Sequence, residues 1–316
     1  MRTPPALMRG LAVAAVVGQG GIAVTGAAVR VTGSGLGCPT WPQCFPGSMV
    51  PVAHAEVAVL HQWIEFGNRL LGVALVLITG ACVIAALFVR PRRRRLLWLA
   101  CTMPLGVVAQ AVIGGITVLT GLAWYTVAPH FIVSVPLVWL AVLLARDAWA
   151  LPDSGERREV VVPRAVRGLL GVSAAVLSAL VVVGTLVTAA GPHAGDPATP
   201  RLTAFSVADL AMAHAHLLFA FLGLLVGLGF LLHAVAAPRT VLVRFRVLVA
   251  VTLAQGLLGG IQYAIGVPEV LVALHVLGSM LVVAATAWLW AGTTSPAVPD
   301  PSSGTGTSRA MAAAQS

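Results

Sequence analysis

Long apolar runs alternate with short polar segments along almost the whole chain. The runs fall near 9–29, 63–89, 96–119, 126–148, 168–190, 208–236, 247–266 and 269–291. Each approaches or exceeds the roughly 20 residues that an α-helix needs to cross the hydrocarbon core of a bilayer. Lipid offers nothing to hydrogen-bond a free backbone group, so such runs are expected to be helical. The pattern predicts an all-α integral membrane protein with eight transmembrane helices. The basic start "MRTPPALMRG" runs straight into apolar sequence, as a signal peptide would, but "VTGAAVR" does not look like a cleavage site. The first run is therefore read as an uncleaved span. From Thr293 onward the apolar pattern stops, and 293–316, rich in Ser, Thr, Pro and Gly, reads as a disordered tail.

Composition agrees with the pattern. The chain is 59% hydrophobic and 9% charged, against about 25% charged residues in soluble domains. Its net charge of +9 comes from nineteen basic residues, all of them Arg. They gather between the runs, as in "RPRRRR" at 90–95, and no basic groove with interleaved aromatics accompanies them. That distribution argues against nucleic-acid binding. Assigning the polar segments alternately to the two sides puts sixteen arginines on the side of both termini and only Arg30 and Arg201 on the other. Positive charge stays inside, so both termini are expected in the cytoplasm and the protein in the cell membrane, crossing it many times.

Within this pattern one phrase occurs twice. "QAVIGGIT" at 110–117 returns as "QGLLGGIQ" at 255–262, and each Gln is followed twenty positions later by a His, at 130 and 275. A shift of 145 superposes Gln110 on Gln255, Gly114 and Gly115 on Gly259 and Gly260, and His130 on His275. Near the ends of the first and fifth runs the register is about 163, so the first outer loop is the longer. Two duplicated four-helix bundles account for this. They are an N-terminal half (1–150), a cytoplasmic linker (151–167) and a C-terminal half (168–292), with an even number of spans per half giving both the same orientation.

Ionisable side chains inside a membrane are costly and usually face the bundle interior. Here they share one depth, in the first turns of the even-numbered spans: His61 and Glu65, His130, His214 and His216, and His275. All four of these spans enter from the outer side. His214 and His275 are natural partners, because two imidazoles on facing helices can take both axial positions of a haem. His216 lies roughly 200° round the helix from His214, so only one of the two faces the same centre. His214 is preferred because the repeat puts it on Asn68 within about a residue. The bland alternative is a set of interfacial histidines bonded to water or carbonyls. In the first half Asn68 stands where the second half has His214, and Asn is a poor iron ligand. His61, Glu65 and Asn68 lie at i, i+4 and i+7 on one face, with Arg69 one turn beyond Glu65. Glu65 is either one arm of an ion pair anchoring the helix end or a proton-handling group in a reactive cavity shared with His61 and His130.

Cys38 and Cys44 sit in the first outer loop, in "GSGLGCPTWPQC". That side is oxidising, so a disulfide between them is permitted. A structural staple and a redox-active pair both remain open, though the spacing is not the C-x-x-C of thioredoxin-like centres. Cys82 and Cys101 lie in spans and read as small buried apolar residues.

These residues resemble a known family. "VRVTGSGLGCPTWPQC" is similar to the first-loop signature of the haem A synthases. "IEFGNRLLG", "QAVIGGITVLTGL", "VAPHF", "GPHAGD", "HAHLLFAFLG" and "LHVLGSML" follow that family, above all its actinobacterial members, in order and spacing across about residues 10–290. The resemblance implies two similar four-helix halves. It implies haem b between His214 and His275, and substrate haem O in the first half with His130 toward its iron. Glu65 is implied as the acidic residue of span two. The activity implied is oxidation of one haem O ring methyl to a formyl, giving haem A for cytochrome oxidase. Many members carry Glu-x-x-His-Arg where this chain has Glu65, Phe66, Gly67, Asn68, Arg69, so either His61 replaces the missing ligand or His130 holds the substrate iron alone. The second outer loop, "GPHAGDPATP", lacks the Cys pair some members have there.

An oxidoreductase of this kind takes its haem O from the membrane or directly from a haem O synthase. It also needs an electron donor that the sequence does not name. Self-association into a homo-oligomer is compatible with the sequence. The rivals are a bis-His cytochrome b-type electron-transfer protein that leaves haem unmodified, and a parallel-repeat transporter, which predicts ionisable groups near mid-membrane rather than toward one face.

Overall fold

The computed structural model describes residues 2–54, 56–150, 158–193, 195–196 and 199–296. Residues 151–157 of the expected linker and 297–316 of the expected tail, with Arg157 and Arg309, lie outside them. The described chain forms eight helices: α1 (Pro5–Val31), α2 (Val59–Leu87), α3 (Arg94–Leu119), α4 (Trp124–Trp149), α5 (Arg164–Ala190), α6 (Val207–Ala234), α7 (Arg239–Ala264) and α8 (Glu269–Gly292). All eight are long and apolar enough to cross a membrane. Proline opens several of them: Pro4, Pro163, Pro238 and Pro268 are the N-cap residues of α1, α5, α7 and α8. There its fixed φ helps and its missing N–H costs nothing. α6 starts instead on Ser206, whose hydroxyl accepts the Asp209 N–H at 3.0 Å.

Most helices match the apolar runs to within a few residues. The largest departure is α7, which begins eight residues before the expected span. Arg244 and Arg246 lie before the apolar run but within the helix. Arg244 lies along α8, donating to the Trp288 carbonyl at 3.1 Å with its guanidinium over the Trp288 ring.

The first four helices close a ring, α1 on α2, α2 on α3, α3 on α4 and α4 on α1. The last four form two tight pairs, α5 with α6 and α7 with α8, which touch one another only sparsely. α8 joins the sets by packing on α1 and α4, and α4 also meets α5. Met8, Ala12, Leu96, Met103 and Leu144 fill the interior of the first set. Leu170, Phe221, Leu228, Leu248 and Met280 belong to the core of the second. Outward-facing Leu77, Trp98, Val226 and Phe230 are exposed, as lipid-facing side chains are.

The turn from α3 to α4 is repeated between α7 and α8. Gly121 and Leu122 both have positive φ, as do Gly266 and Val267. The Leu122 N–H donates to Thr117 O and the Val267 N–H to Gln262 O, each at 2.8 Å. Positive φ is costly for a β-branched residue. Here the Val267 carbonyl is tied down by His193, whose Nε2 donates to it at 2.9 Å.

One expectation needs correcting. The tail read as disordered from Thr293 is ordered through Pro296. Strand β1 (Arg158–Val160) pairs antiparallel with β2 (Thr294–Pro296). The Val161 N–H donates to Thr293 O at 2.9 Å, and Arg146 donates to Thr294 O. These partners are distant in sequence, and three residues of Ser/Thr/Pro composition carry no strand signal of their own.

Candidate functional site

Between α6 and α8 two imidazoles face each other. The His214 and His275 ring centres are 6.3 Å apart, their planes inclined at 57°. Each ring lies against a glycine of the neighbouring helix. A Cβ built on Gly184 of α5 would stand 2.7 Å from His214 Cε1, and one on Gly259 of α7 would stand 2.8 Å from His275 Cε1. Only glycine admits the rings there. His214 Nδ1 is 3.0 Å from Leu180 O. A carbonyl can only accept, so Nδ1 carries the proton and the Nε2 lone pair is free, the tautomer a metal requires. Gln255 Nε2 donates to the His275 carbonyl at 2.8 Å, and His275 Nδ1 is buried with no hydrogen-bond partner among the described residues. His216 is exposed on the opposite face of α6.

Two bonds of about 2 Å to a central metal put coaxial imidazole centres roughly 6 Å apart. The observed spacing and the His214 tautomer fit a haem iron held between these two rings.

The first set repeats half of this arrangement. Gln110 Nε2 donates to the His130 carbonyl at 2.9 Å and reaches Ser134 Oγ at 2.6 Å. A Cβ on Gly114 would stand 3.2 Å from His130 Cε1, and His130 Nδ1 is buried without a hydrogen-bond partner among the described residues. The recurring phrase thus has one physical meaning in both halves. Its first Gly makes room for a ring, and its Gln grips the backbone of the residue that carries the ring. Facing His130 by register is Asn68, whose Oδ1 accepts the Thr25 hydroxyl at 2.7 Å.

Cys38 and Cys44 form a disulfide, and their loop is fastened by Glu65 and Arg69. Glu65 is 5% exposed. Its Oε2 accepts the Cys38 N–H at 2.7 Å, and its Oε1 accepts Arg69 Nη2 at 2.6 Å and Nε at 3.2 Å. Arg69 also donates to the carbonyls of Cys38, Thr40 and Gln43 at 2.8, 3.0 and 3.1 Å. Trp41, at the middle of this loop, lies on α3. A Cβ on Gly115 would come within 2.6 Å of its ring. The loop therefore covers the helix next to the His130 seat. His61 does not join this group. Its Nδ1 donates to Gly33 O at 3.2 Å, where the loop leaves α1.

Sequence reading missed Gly184, Trp41 and the reach of Arg69. Gly184 stands 163 positions after Gly21, so the register near the fifth span held that signal. Trp41 and Arg69 act across a loop–helix contact that spacing does not encode. The α1–α2 and α5–α6 loops are also joined: Arg30 Nε donates to His193 O at 2.7 Å, and the Gly35 N–H to Gly195 O at 3.1 Å. Cys82 is buried and Cys101 half-buried, neither in a disulfide. No group of three or more His, Cys, Asp or Glu that would hold a metal ion by themselves occurs among the described residues.

Fold and site together define a multi-pass helical membrane protein with a facing pair of imidazoles. The chain belongs to the COX15-CtaA family of cytochrome oxidase assembly proteins, whose model matches residues 9–195. It is similar to the heme A synthase of Geobacillus kaustophilus, 34% identical over 113 residues. It is also similar to the heme A synthase of Geobacillus thermodenitrificans, 33% identical over 110. Each match takes in 34% of this chain and 32% of the relative, so the chain matches about a third of the length of these curated relatives.

Proposed function

We propose that this protein is a haem A synthase, an oxidoreductase that converts one ring methyl of haem O to a formyl group to supply haem A to cytochrome oxidase. The observation that carries the reading is the His214–His275 pair at 6.3 Å in a cytochrome oxidase assembly family. In this reading the pair holds haem b, which when bound supplies one-electron redox chemistry.

The halves are a duplication, 1–150 and 168–292, that has diverged in use. The matching turns and matching Gln–His bonds support this. The first half takes haem O, with His130 as ligand to the substrate iron. Glu65 serves there as proton acceptor through the lone pairs that its bonds to Cys38 and Arg69 leave unused. Those bonds fix the carboxylate beside the Cys loop, and Trp41 on Gly115 shields the neighbourhood of His130 from water. His61 keeps its loop bond to Gly33 and is not needed as a ligand. Turning a methyl into a formyl is a four-electron oxidation: as two successive hydroxylations, each consumes one dioxygen, two electrons from the donor and two protons and releases one water, and the twice-hydroxylated carbon then loses water to leave the aldehyde. The arginine distribution supports a cell-membrane location with both termini cytoplasmic and the paired imidazoles toward the outer face. Haem O arrives through the membrane or from a haem O synthase.

Co-expression with a haem O synthase in a host lacking haem A, followed by extraction of the haems, tests the reading. Haem A or a hydroxylated intermediate is expected. Neither appearing, with the protein well expressed and haem O present, overturns it.

A further inference from the structure

The two helix sets part company at one register position, and what replaces the second imidazole has its own construction. By the offsets of 146 and 163, His214 and Gly184 correspond to Asn68 and Gly21. A Cβ on Gly184 would collide with the His214 ring, whereas one on Gly21 would meet nothing within 4 Å. Thr188 corresponds to Thr25. In the second set the Thr188 hydroxyl donates back to Gly184 O of its own helix at 3.0 Å. In the first, the Thr25 hydroxyl lies 3.2 Å from Ile22 O of its own helix but also reaches across to Asn68 Oδ1, its shorter contact at 2.7 Å. That bond uses the amide oxygen, and the amide N–H groups donate to no protein atom among the described residues. A side chain too short and too weakly basic to bind iron is thus held by a dedicated partner, beside a helix face left clear by glycine.

We infer that Gly21, Thr25 and Asn68 form a seat for a small neutral ligand, of dioxygen or carbon monoxide size, on the face of the substrate porphyrin opposite His130. The inference rests on the proposed function. The polarity, hydrogen-bond donors and steric access of that face decide whether an iron binds a diatomic. Here Gly21 gives access and Asn68 supplies an oriented N–H donor. The second set, closed on both faces by imidazole, binds no such ligand.

The test uses the full chain purified after co-expression with a haem O synthase. Extraction measures haem O and haem b, and the reduced protein is titrated with carbon monoxide. Carbon monoxide uptake is expected to match the haem O content and to leave the haem b share unreacted. N68H should become six-coordinate and low-spin in the haem O share and lose carbon monoxide binding. G21L should keep haem O and lose carbon monoxide binding by filling the seat, and T25V should weaken it several-fold. Wild type that holds haem O but takes up no carbon monoxide, or N68H and G21L proteins that bind it as wild type does, overturns the inference. Haem b without any haem O, in wild type and in H130A alike, overturns the proposed function and this inference with it.

Discussion

The two helix sets seat an imidazole in the same way and then finish the site differently. In the second, His275 is met by a second ring, the helix pairs around them touch sparsely, and Gly260, the second glycine of the motif, has nothing packed on it. In the first, His130 is met by Asn68, the helices close a ring, and Gly115, the equivalent of Gly260, receives Trp41 from the disulfide loop. In the proposed function the difference separates two requirements: a permanent cofactor with two fixed ligands and no cover, and a guest with one ligand and a shielding segment fastened by Glu65 and Arg69. In the proposed function the shared Gln–Gly–His frame is the constant, and the loop and the His-to-Asn exchange are what make one half a reaction chamber.

The comparison is broken most directly at the paired rings. H275A should lose the low-spin haem signal almost completely, read as the reduced-minus-oxidised spectrum of the purified protein, while H130A retains it. Next comes the loop. Removing one arm of a largely buried ion pair costs about 3 kcal/mol, so R69Q should free the α1–α2 loop and not the α5–α6 loop. Limited proteolysis between Cys38 and Cys44 after reduction reads this out. The second glycines give a sharper contrast at lower energy. G115A forces Trp41 aside at about 1–3 kcal/mol. G260A meets open space and should be neutral or stabilising by about 0.5–1 kcal/mol. Thermal unfolding in detergent separates the two variants. The smallest effect belongs to Q110L and Q255L. Q255L loses its bond to the His275 carbonyl, about 1 kcal/mol, and Q110L loses the bonds to both the His130 carbonyl and Ser134 Oγ, so its loss should be the larger by about the worth of one bond.

The helices were legible because a bilayer imposes one length and one polarity on every span. α7 departed because Arg244 and Arg246 lie beyond the apolar run, where hydropathy no longer reports helicity. The His214–His275 pair was legible because the repeat fixed its register and the angular spacing of residues round a helix excluded His216. Glu65 was legible as a position but not as a connection. Its Arg69 partner lies one helical turn away, whereas the Cys38 N–H it also holds belongs to a loop whose course no periodicity records. Trp41 on Gly115 and the β1–β2 pairing escaped for the same reason, being contacts between segments that are distant in the chain and carry no shared pattern.

The fastenings between the halves have a mechanical consequence. At one end Arg30 clasps the backbone at His193, and His193 in turn clasps Val267. At the other, Arg146 and the β1–β2 ribbon bind the final strand to the connection between the sets. These fastenings at both ends oppose a rocking of one helix set against the other. In the proposed function, a flat apolar substrate has a sideways route, edge first, between neighbouring helices that stay fastened at their ends.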